Sequence, residues 1–217
     1  MNIVLKIVLY APPVLLSIIL HEVMHGYVAY LLGDDTAKSQ GRLTLNPLKH
    51  VDPVGTIILP LLLILTGSKV LFGWAKPVPV NIYKTRNPKQ AMGITALAGP
   101  MTNLALAVVA LVLFRIFNLH DDLERYILFG KPAGFLTQSL LMLLVINVVL
   151  AVFNLIPIPP LDGGRVVTWL LPYEQARAFA RLERYGMLII FGLVFFDPFR
   201  ILSTLLGGAL RLFLSFI

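Results

Sequence analysis

SIILHEVMHGYVAYLL, residues 17–32, contains an H-E-x-x-H motif inside an apolar run that begins near residue 3. Residues four apart lie on one face of a helix, so His21 and His25 are placed to bind one metal ion. Glu22 lies next to that face, where it is placed to accept a proton from water at the metal. The motif predicts a zinc-dependent hydrolase site.

The composition places this motif in a membrane. Hydrophobic residues make up 58% of the chain and charged residues only 13%, whereas a soluble domain has about 25% charged residues. The net charge of +7 does not indicate nucleic-acid binding, because the cations cluster in loops between apolar runs, as cytoplasmic loops do. The chain has no cysteine, which excludes thiolate metal ligands. We therefore predict an all-α, polytopic protein embedded in the lipid bilayer.

The apolar runs predict about five to six hydrophobic membrane helices within one domain, residues 1–217. A catalytic core is expected over about residues 10–170, followed by a hydrophobic hairpin over about residues 185–217. The hydrophobic segments are residues 3–32, 54–66, 92–117, 135–156, 187–196 and 199–217.

A short segment separates the first two long spans. Residues 54–66 are apolar, but about 13 residues fall below the roughly 17 that a spanning helix needs. Alternation and turn residues predict a short strand within residues 41–47, and Pro77 and Pro79 predict an extended segment over residues 73–80. We expect a re-entrant or extended segment here, with both extended pieces free to pair with a substrate strand.

Loop charge predicts the topology. The loops 34–52 and 67–90 are both basic and are therefore predicted to be cytoplasmic. The second loop carries Lys69, Lys76, Lys84 and Arg86. Residues 54–66 would then enter the membrane and return, and the three long helices would run inward, outward and inward. This order places the end of the first helix and Asp162 near the same cytoplasmic face.

A catalytic zinc usually has three protein ligands and one open position, so the H-E-x-x-H motif requires a third residue. Asp162 follows the proline break at the end of the third long helix, and two glycines follow it. His120 is predicted on the opposite side of the membrane, and His50 is the other remaining histidine. Taken alone, Asp162 is either a metal ligand or a helix-capping carboxylate.

The paired motifs resemble the site-2 protease family of intramembrane zinc metalloproteases. The resemblance is carried by His21-Glu-Val-Met-His25, by Asn154-Leu-Ile-Pro-Ile-Pro-Pro-Leu-Asp162-Gly-Gly-Arg165 and by Gly99-Pro-Met-Thr-Asn103, and it covers about residues 10–170. It implies one Zn²⁺ per chain bound by His21, His25 and Asp162, with Glu22 as the catalytic base. It also implies a minimal member of the family, without PDZ or CBS domains.

Two amides are candidates for contacting the substrate. Asn154 and Asn103 lie in apolar runs where an amide must find a partner, and a tetrahedral oxyanion requires hydrogen-bond donors. The alternative for both is an ordinary hydrogen bond between membrane helices.

The favoured function is an endopeptidase that cuts in or near the transmembrane segments of membrane proteins, in a prokaryotic cell membrane, with its site toward the cytoplasm. The alternatives are an ion or zinc transporter and an inactive membrane scaffold. A transporter typically shows inverted repeats and ligands on several helices, and it has no need of Glu22 beside the ligands. The substrate and the oligomeric state stay open.

Overall fold

Long helices dominate the computed structural model, which describes residues 3–67 and 72–216. Lys69 of the predicted basic loop lies outside the described residues. Within these ranges all regular structure is helical and no β-strand is formed. The α-helices are α1 Ile3–Leu31, α2 Thr36–Ser39, α3 Leu59–Leu65, α4 Pro88–Ile116, α5 His120–Phe129, α6 Phe135–Asn154, α7 Asp162–Leu170, α8 Tyr173–Ala180, α9 Glu183–Phe196 and α10 Ile201–Leu214.

Three of these helices are long and apolar enough to cross a bilayer: Val8–Leu31 of α1, α4 and α6. They match the three long spans that the sequence predicts. A fourth span is possible if α9 and α10, which bend by 71° at Asp197-Pro198, are counted together. The described residues therefore give three spans, or up to four, and α9 and α10 have only 14 residues each; the expected total of five to six membrane helices stays a prediction.

Helix α4 is the centre of the bundle and packs against α1, α6 and α7. Its buried face is rich in small residues, including Gly93, Gly99, Ala107 and Ala110. Small residues let membrane helices approach closely, so α1, α6 and α7 can all pack directly against α4. Farther along α4, Phe114 packs into an apolar core shared with α6.

Residues 53–65, which lie between the first two spans, are helical rather than extended. A π-helical turn, Pro53–Ile58, leads directly into α3, and together they cover 13 residues. At about 1.5 Å per residue this is about 20 Å, short of the roughly 30 Å hydrocarbon core. Re-entry of this segment stays a prediction.

The strand predicted within residues 41–47 is wrong. The chain turns at Gly41, and a 3₁₀ helix, Pro47–His50, follows directly after Asn46. The Asn46 side chain accepts a hydrogen bond from the Leu48 amide and so starts this helix. Alternating residues form a strand only where a neighbouring backbone completes the ladder, and no described segment does so here.

Residues 72–81 are non-helical, as the prolines predict, but they form no strand ladder. Side chains hold the segment in place instead: the Arg42 guanidinium donates to the carbonyls of Lys76 (3.0 Å) and Pro77 (3.3 Å). The Lys76 amide donates to the His50 carbonyl. Because these backbone groups are occupied, residues 76–77 lack the free edge that strand addition by a substrate requires.

Candidate metal centre

The H-E-x-x-H motif occupies the inner face of α1, and the two imidazoles lie one turn apart. Nε2 of His21 and Nε2 of His25 are 3.0 Å apart. Asp162, the first residue of α7, places Oδ2 3.3 Å from the first nitrogen and 3.2 Å from the second. All three side chains are buried. The structure thus brings together the three residues that the sequence predicts as ligands.

The donor set and its spacing fit zinc. Tetrahedral zinc with bonds of about 2.0–2.2 Å separates its ligand atoms by about 3.3–3.6 Å, close to the separations of 3.0–3.3 Å seen here. Among the described residues, Oδ2 of Asp162 is buried without a hydrogen-bond donor. Two imidazole nitrogens and a carboxylate oxygen so close together repel one another unless a cation or a proton is shared between them.

Helix α4 fixes the orientation of both imidazoles. Nδ1 of His21 donates to Oδ1 of Asn103 at 2.5 Å, and Nδ1 of His25 donates to the Thr95 carbonyl at 2.7 Å. With the proton on Nδ1, each ring directs the lone pair of Nε2 toward the common point. The rings are thus held in the tautomer and orientation that a metal requires.

Gly99 of α4 leaves the space in which the imidazoles meet. A Cβ atom at this position would lie 2.5 Å from Nε2 of His25 and 2.6 Å from Nε2 of His21. Any side chain at this position would therefore fill the space beside the ligand atoms. Gly99, in the Gly99-Pro100 element of α4, therefore keeps this space open for the two imidazoles.

Two further glycines determine where Asp162 lies. A Cβ at Gly163 would collide with the Leu155 carbonyl, and one at Gly164 would collide with the Pro159 backbone. Close packing of α7 under the chain that leaves α6 therefore requires glycine at both positions. This packing carries Asp162 from the proline break to the histidines of α1.

Glu22 is held by the non-helical segment. Its Oε2 accepts a hydrogen bond from the Val78 amide at 2.8 Å. The carboxylate is therefore anchored through one oxygen, and Oε1 is left to accept a proton. Val78 lies between two prolines, so this amide is the one backbone donor among residues 77–79.

A cavity of about 540 Å³ opens onto the three candidate ligands. Glu22, Pro77, Val78, Asn154 and Arg165 are among the residues of its wall. The volume lies within the range of about 300–1,000 Å³ typical of ligand sites. It is large enough for a short extended peptide segment beside the ligands.

The two predicted substrate amides differ in position. Asn154 lines the cavity, and its amide nitrogen donates one hydrogen bond, to the Leu150 carbonyl at 2.9 Å. Asn103 is fully buried behind His21, and its amide nitrogen donates to the Ser17 carbonyl and to Asn147. Both amide hydrogens of Asn103 are therefore used within the helix bundle, and its oxygen contacts His21.

Sequence reasoning missed several residues of the site. Asn147 supports Asn103, the Thr95 carbonyl orients His25, and the Val78 amide holds Glu22. Only Asn147 left a signal, as an isolated amide in an apolar run two helical turns before Asn154. The other two act through the backbone, for which the sequence carries no side-chain signature.

Ionic and polar contacts outside the spans anchor the loops around the site. Lys84 donates to Asp35 at 2.6 Å, and this bond holds the pKa of the Asp35 carboxyl below its usual value. The Asp34 carboxylate accepts from the Asn81 amide and from Thr36. These contacts attach the end of the 72–81 segment to the end of α1.

Comparison with known proteins is consistent with this site. The model of peptidase family M50 matches residues 10–196. YwhC of Bacillus subtilis, named as a candidate zinc metalloprotease, is 40% identical over 184 residues, which cover 85% of this chain and 78% of that protein.

A second relative with a similar name is Rip2 of Mycolicibacterium smegmatis, which is 35% identical over 178 residues, 81% of this chain and 62% of that protein. MJ0611 of Methanocaldococcus jannaschii, also named as a candidate zinc metalloprotease, is 39% identical over 103 residues, 46% of this chain and 47% of that protein. No solved structure matches. The chain therefore belongs to peptidase family M50, the site-2 protease family of zinc metalloproteases.

Proposed function

We propose that the protein is a zinc-dependent intramembrane endopeptidase with one Zn²⁺ bound by His21, His25 and Asp162. The observation that carries this proposal is the cluster of three buried ligand atoms, no more than 3.3 Å apart. Two of the ligands belong to α1, which is long enough to cross a bilayer. Peptide hydrolysis at this site would take place at membrane depth.

Glu22 is the proposed general base. When bound, zinc supplies Lewis acidity that polarises a carbonyl group and lowers the pKa of water. Glu22 removes a proton from the attacking water through Oε1, while the Val78 amide holds Oε2 in place. As the peptide C–N bond breaks, Glu22 returns that proton to the leaving nitrogen. The water oxygen remains in the new carboxyl group.

The proposed substrate is a transmembrane segment of another protein, unwound locally so that its peptide groups are accessible. Asn154 is placed to contact it, because its side chain lines the cavity and retains one amide hydrogen beyond its bond to Leu150. Such a donor can stabilise the oxyanion that forms on the scissile carbonyl.

We place the protein in the cell membrane of a prokaryote, with the site toward the cytoplasm. The support is the basic character of the loops at this end of the bundle, where Arg42, Lys76 and Lys84 lie close to the cavity segment. The end of α1 and the start of α7 meet at this same end.

The test compares the wild type with Glu22→Gln for bound zinc and for cleavage of a single-span substrate in proteoliposomes. The glutamine oxygen can still accept from the Val78 amide, so the variant retains the local geometry while losing the base. Glu174→Gln, at an exposed carboxylate of α8, is the matched control. Retained zinc with lost cleavage in Glu22→Gln alone supports the proposal. Zinc flux across the vesicle without cleavage would identify a transporter instead.

A further inference from the structure

Asn147 of α6 lies at the junction of three helices without touching the cavity. It is fully buried, as are Ser17 of α1 and Asn103 of α4. Its Oδ1 accepts from the Asn103 amide nitrogen at 2.8 Å. Its own amide nitrogen donates to Oγ of Ser17 at 2.7 Å and to the Leu143 carbonyl at 2.8 Å. A line of hydrogen bonds thus connects α6 to His21 through Asn103.

Two carbonyls determine the direction of this line, that of Leu143 at Asn147 and that of Ser17 at Asn103. A carbonyl oxygen carries no hydrogen, so the sides of Asn147 and Asn103 that face these carbonyls must be the NH₂ groups. The oxygen of Asn147 then faces Asn103 and draws the NH₂ group of Asn103 toward it. The oxygen of Asn103 is left facing Nδ1 of His21, which must therefore carry the imidazole proton.

The reversed arrangement would disable His21. If Asn103 were turned over, its NH₂ group would face Nδ1, and the imidazole proton would move to Nε2. That proton would occupy the lone pair that points at His25 and Asp162. An isolated hydrogen bond between helices would have no such consequence at the site.

We propose that Asn147 is a positioning residue for the metal site, acting through Asn103 to fix the tautomer and orientation of His21. The inference rests on the proposed zinc site. The Ser17 hydroxyl accepts a hydrogen bond from the Asn147 amide nitrogen and donates its own hydrogen to the Pro13 carbonyl at 2.6 Å. Because its hydrogen is used there, Ser17 faces Asn147 as an acceptor and keeps the NH₂ group of Asn147 on that side.

The test measures Zn²⁺ affinity of the full chain in detergent by competition with a chromophoric chelator. Asn147→Leu removes the amide at similar volume, and Val148→Ala perturbs the packing of the neighbouring, equally buried position of α6. Asn147→Leu is expected to weaken zinc binding by about 10-fold, the lower end of the effect of removing a group that orients a metal ligand, because Asn147 acts on His21 through Asn103. Val148→Ala is expected to leave the affinity within about threefold of the wild type, because it lies outside the hydrogen-bond line.

Asn103→Asp distinguishes positioning from folding. A carboxylate presents only acceptors, so it fixes the proton on Nδ1 of His21 without help from Asn147, and its second oxygen faces the oxygen of Asn147 instead of donating to it. In the Asn103→Asp background, Asn147→Leu removes this contact between two acceptors and should therefore cause no loss of zinc affinity, giving a strongly non-additive cycle.

Equal losses from Asn147→Leu in both backgrounds would overturn the inference, as would a loss no larger than that of Val148→Ala. A wild type that binds no zinc would instead refute the proposed function itself.

Discussion

Replacing Gly99 with alanine should separate folding from metal binding. The new Cβ would lie 2.5 Å from Nε2 of His25 and 2.6 Å from Nε2 of His21, whereas ordinary contact begins at 3.4 Å. Relief of this overlap requires a shift of about 0.9 Å, the difference between 3.4 and 2.5 Å. The imidazole tips can move without displacing the backbone, so the helices can remain packed.

The metal site cannot absorb a shift of that size. Ligand distances in zinc sites vary by about 0.2 Å, so a displaced imidazole is a lost ligand. Four-ligand zinc sites bind with about 10–16 kcal/mol, or about 3 kcal/mol per ligand. Since 1.4 kcal/mol is about tenfold, Gly99→Ala should weaken zinc binding at least about 100-fold.

The assay is zinc affinity by chelator competition, with the thermal unfolding of the metal-free protein measured in parallel. Gly192→Ala is the matched control, because this glycine also lies in a helix, where the described residues leave open space for a Cβ. We expect Gly192→Ala to bind zinc like the wild type. Wild-type zinc affinity in Gly99→Ala would refute the geometry of the site.

Three further predictions test other parts of the structure. Val78→Pro removes the amide that holds Glu22, so cleavage should fall about 10-fold or more while zinc content stays normal; unchanged cleavage would contradict this anchoring. Zinc should raise the melting temperature of chelator-treated wild type, but not of Gly99→Ala, because only the folded state binds the ion. The Thr137 hydroxyl, with the Gly134 amide, holds the pKa of Asp122 below its usual value. A depressed folded-state pKa stabilises the protein above the unfolded-state pKa of about 3.9, so Thr137→Val should lower the melting temperature at pH 7 and progressively less toward pH 3.

The sequence predicted the elements that depend on local pattern. The three long spans were identifiable because each is a long apolar run, and the H-E-x-x-H spacing placed His21 and His25 on one face. The alternating directions of the three long helices predicted that Asp162 lies at the same end of the bundle as the end of the first helix. The structure places Asp162 beside His21 and His25. Each of these inferences uses only length, charge or helical periodicity.

The remaining features depend on tertiary partners. An amide in a membrane helix must be bonded, but sequence does not distinguish a substrate from a neighbouring helix as the partner, and so both alternatives stayed open for Asn103. The strand expected within residues 41–47 had the right alternation but no neighbouring strand. The sequence separated the apolar segments 187–196 and 199–217, but it does not show whether the two short helices α9 and α10, bent by 71°, form one span together.

Mass spectrometry of the cleavage products tests the central claim most directly. Wild-type protein carrying one zinc per chain is reconstituted in proteoliposomes with a single-span substrate, and the reaction is run in H₂¹⁸O. The proposed mechanism predicts a new carboxyl terminus within or beside the membrane segment of the substrate, labelled with ¹⁸O, and no such product from zinc-loaded Glu22→Gln. The same product from Glu22→Gln, or from protein stripped of zinc, would contradict the account.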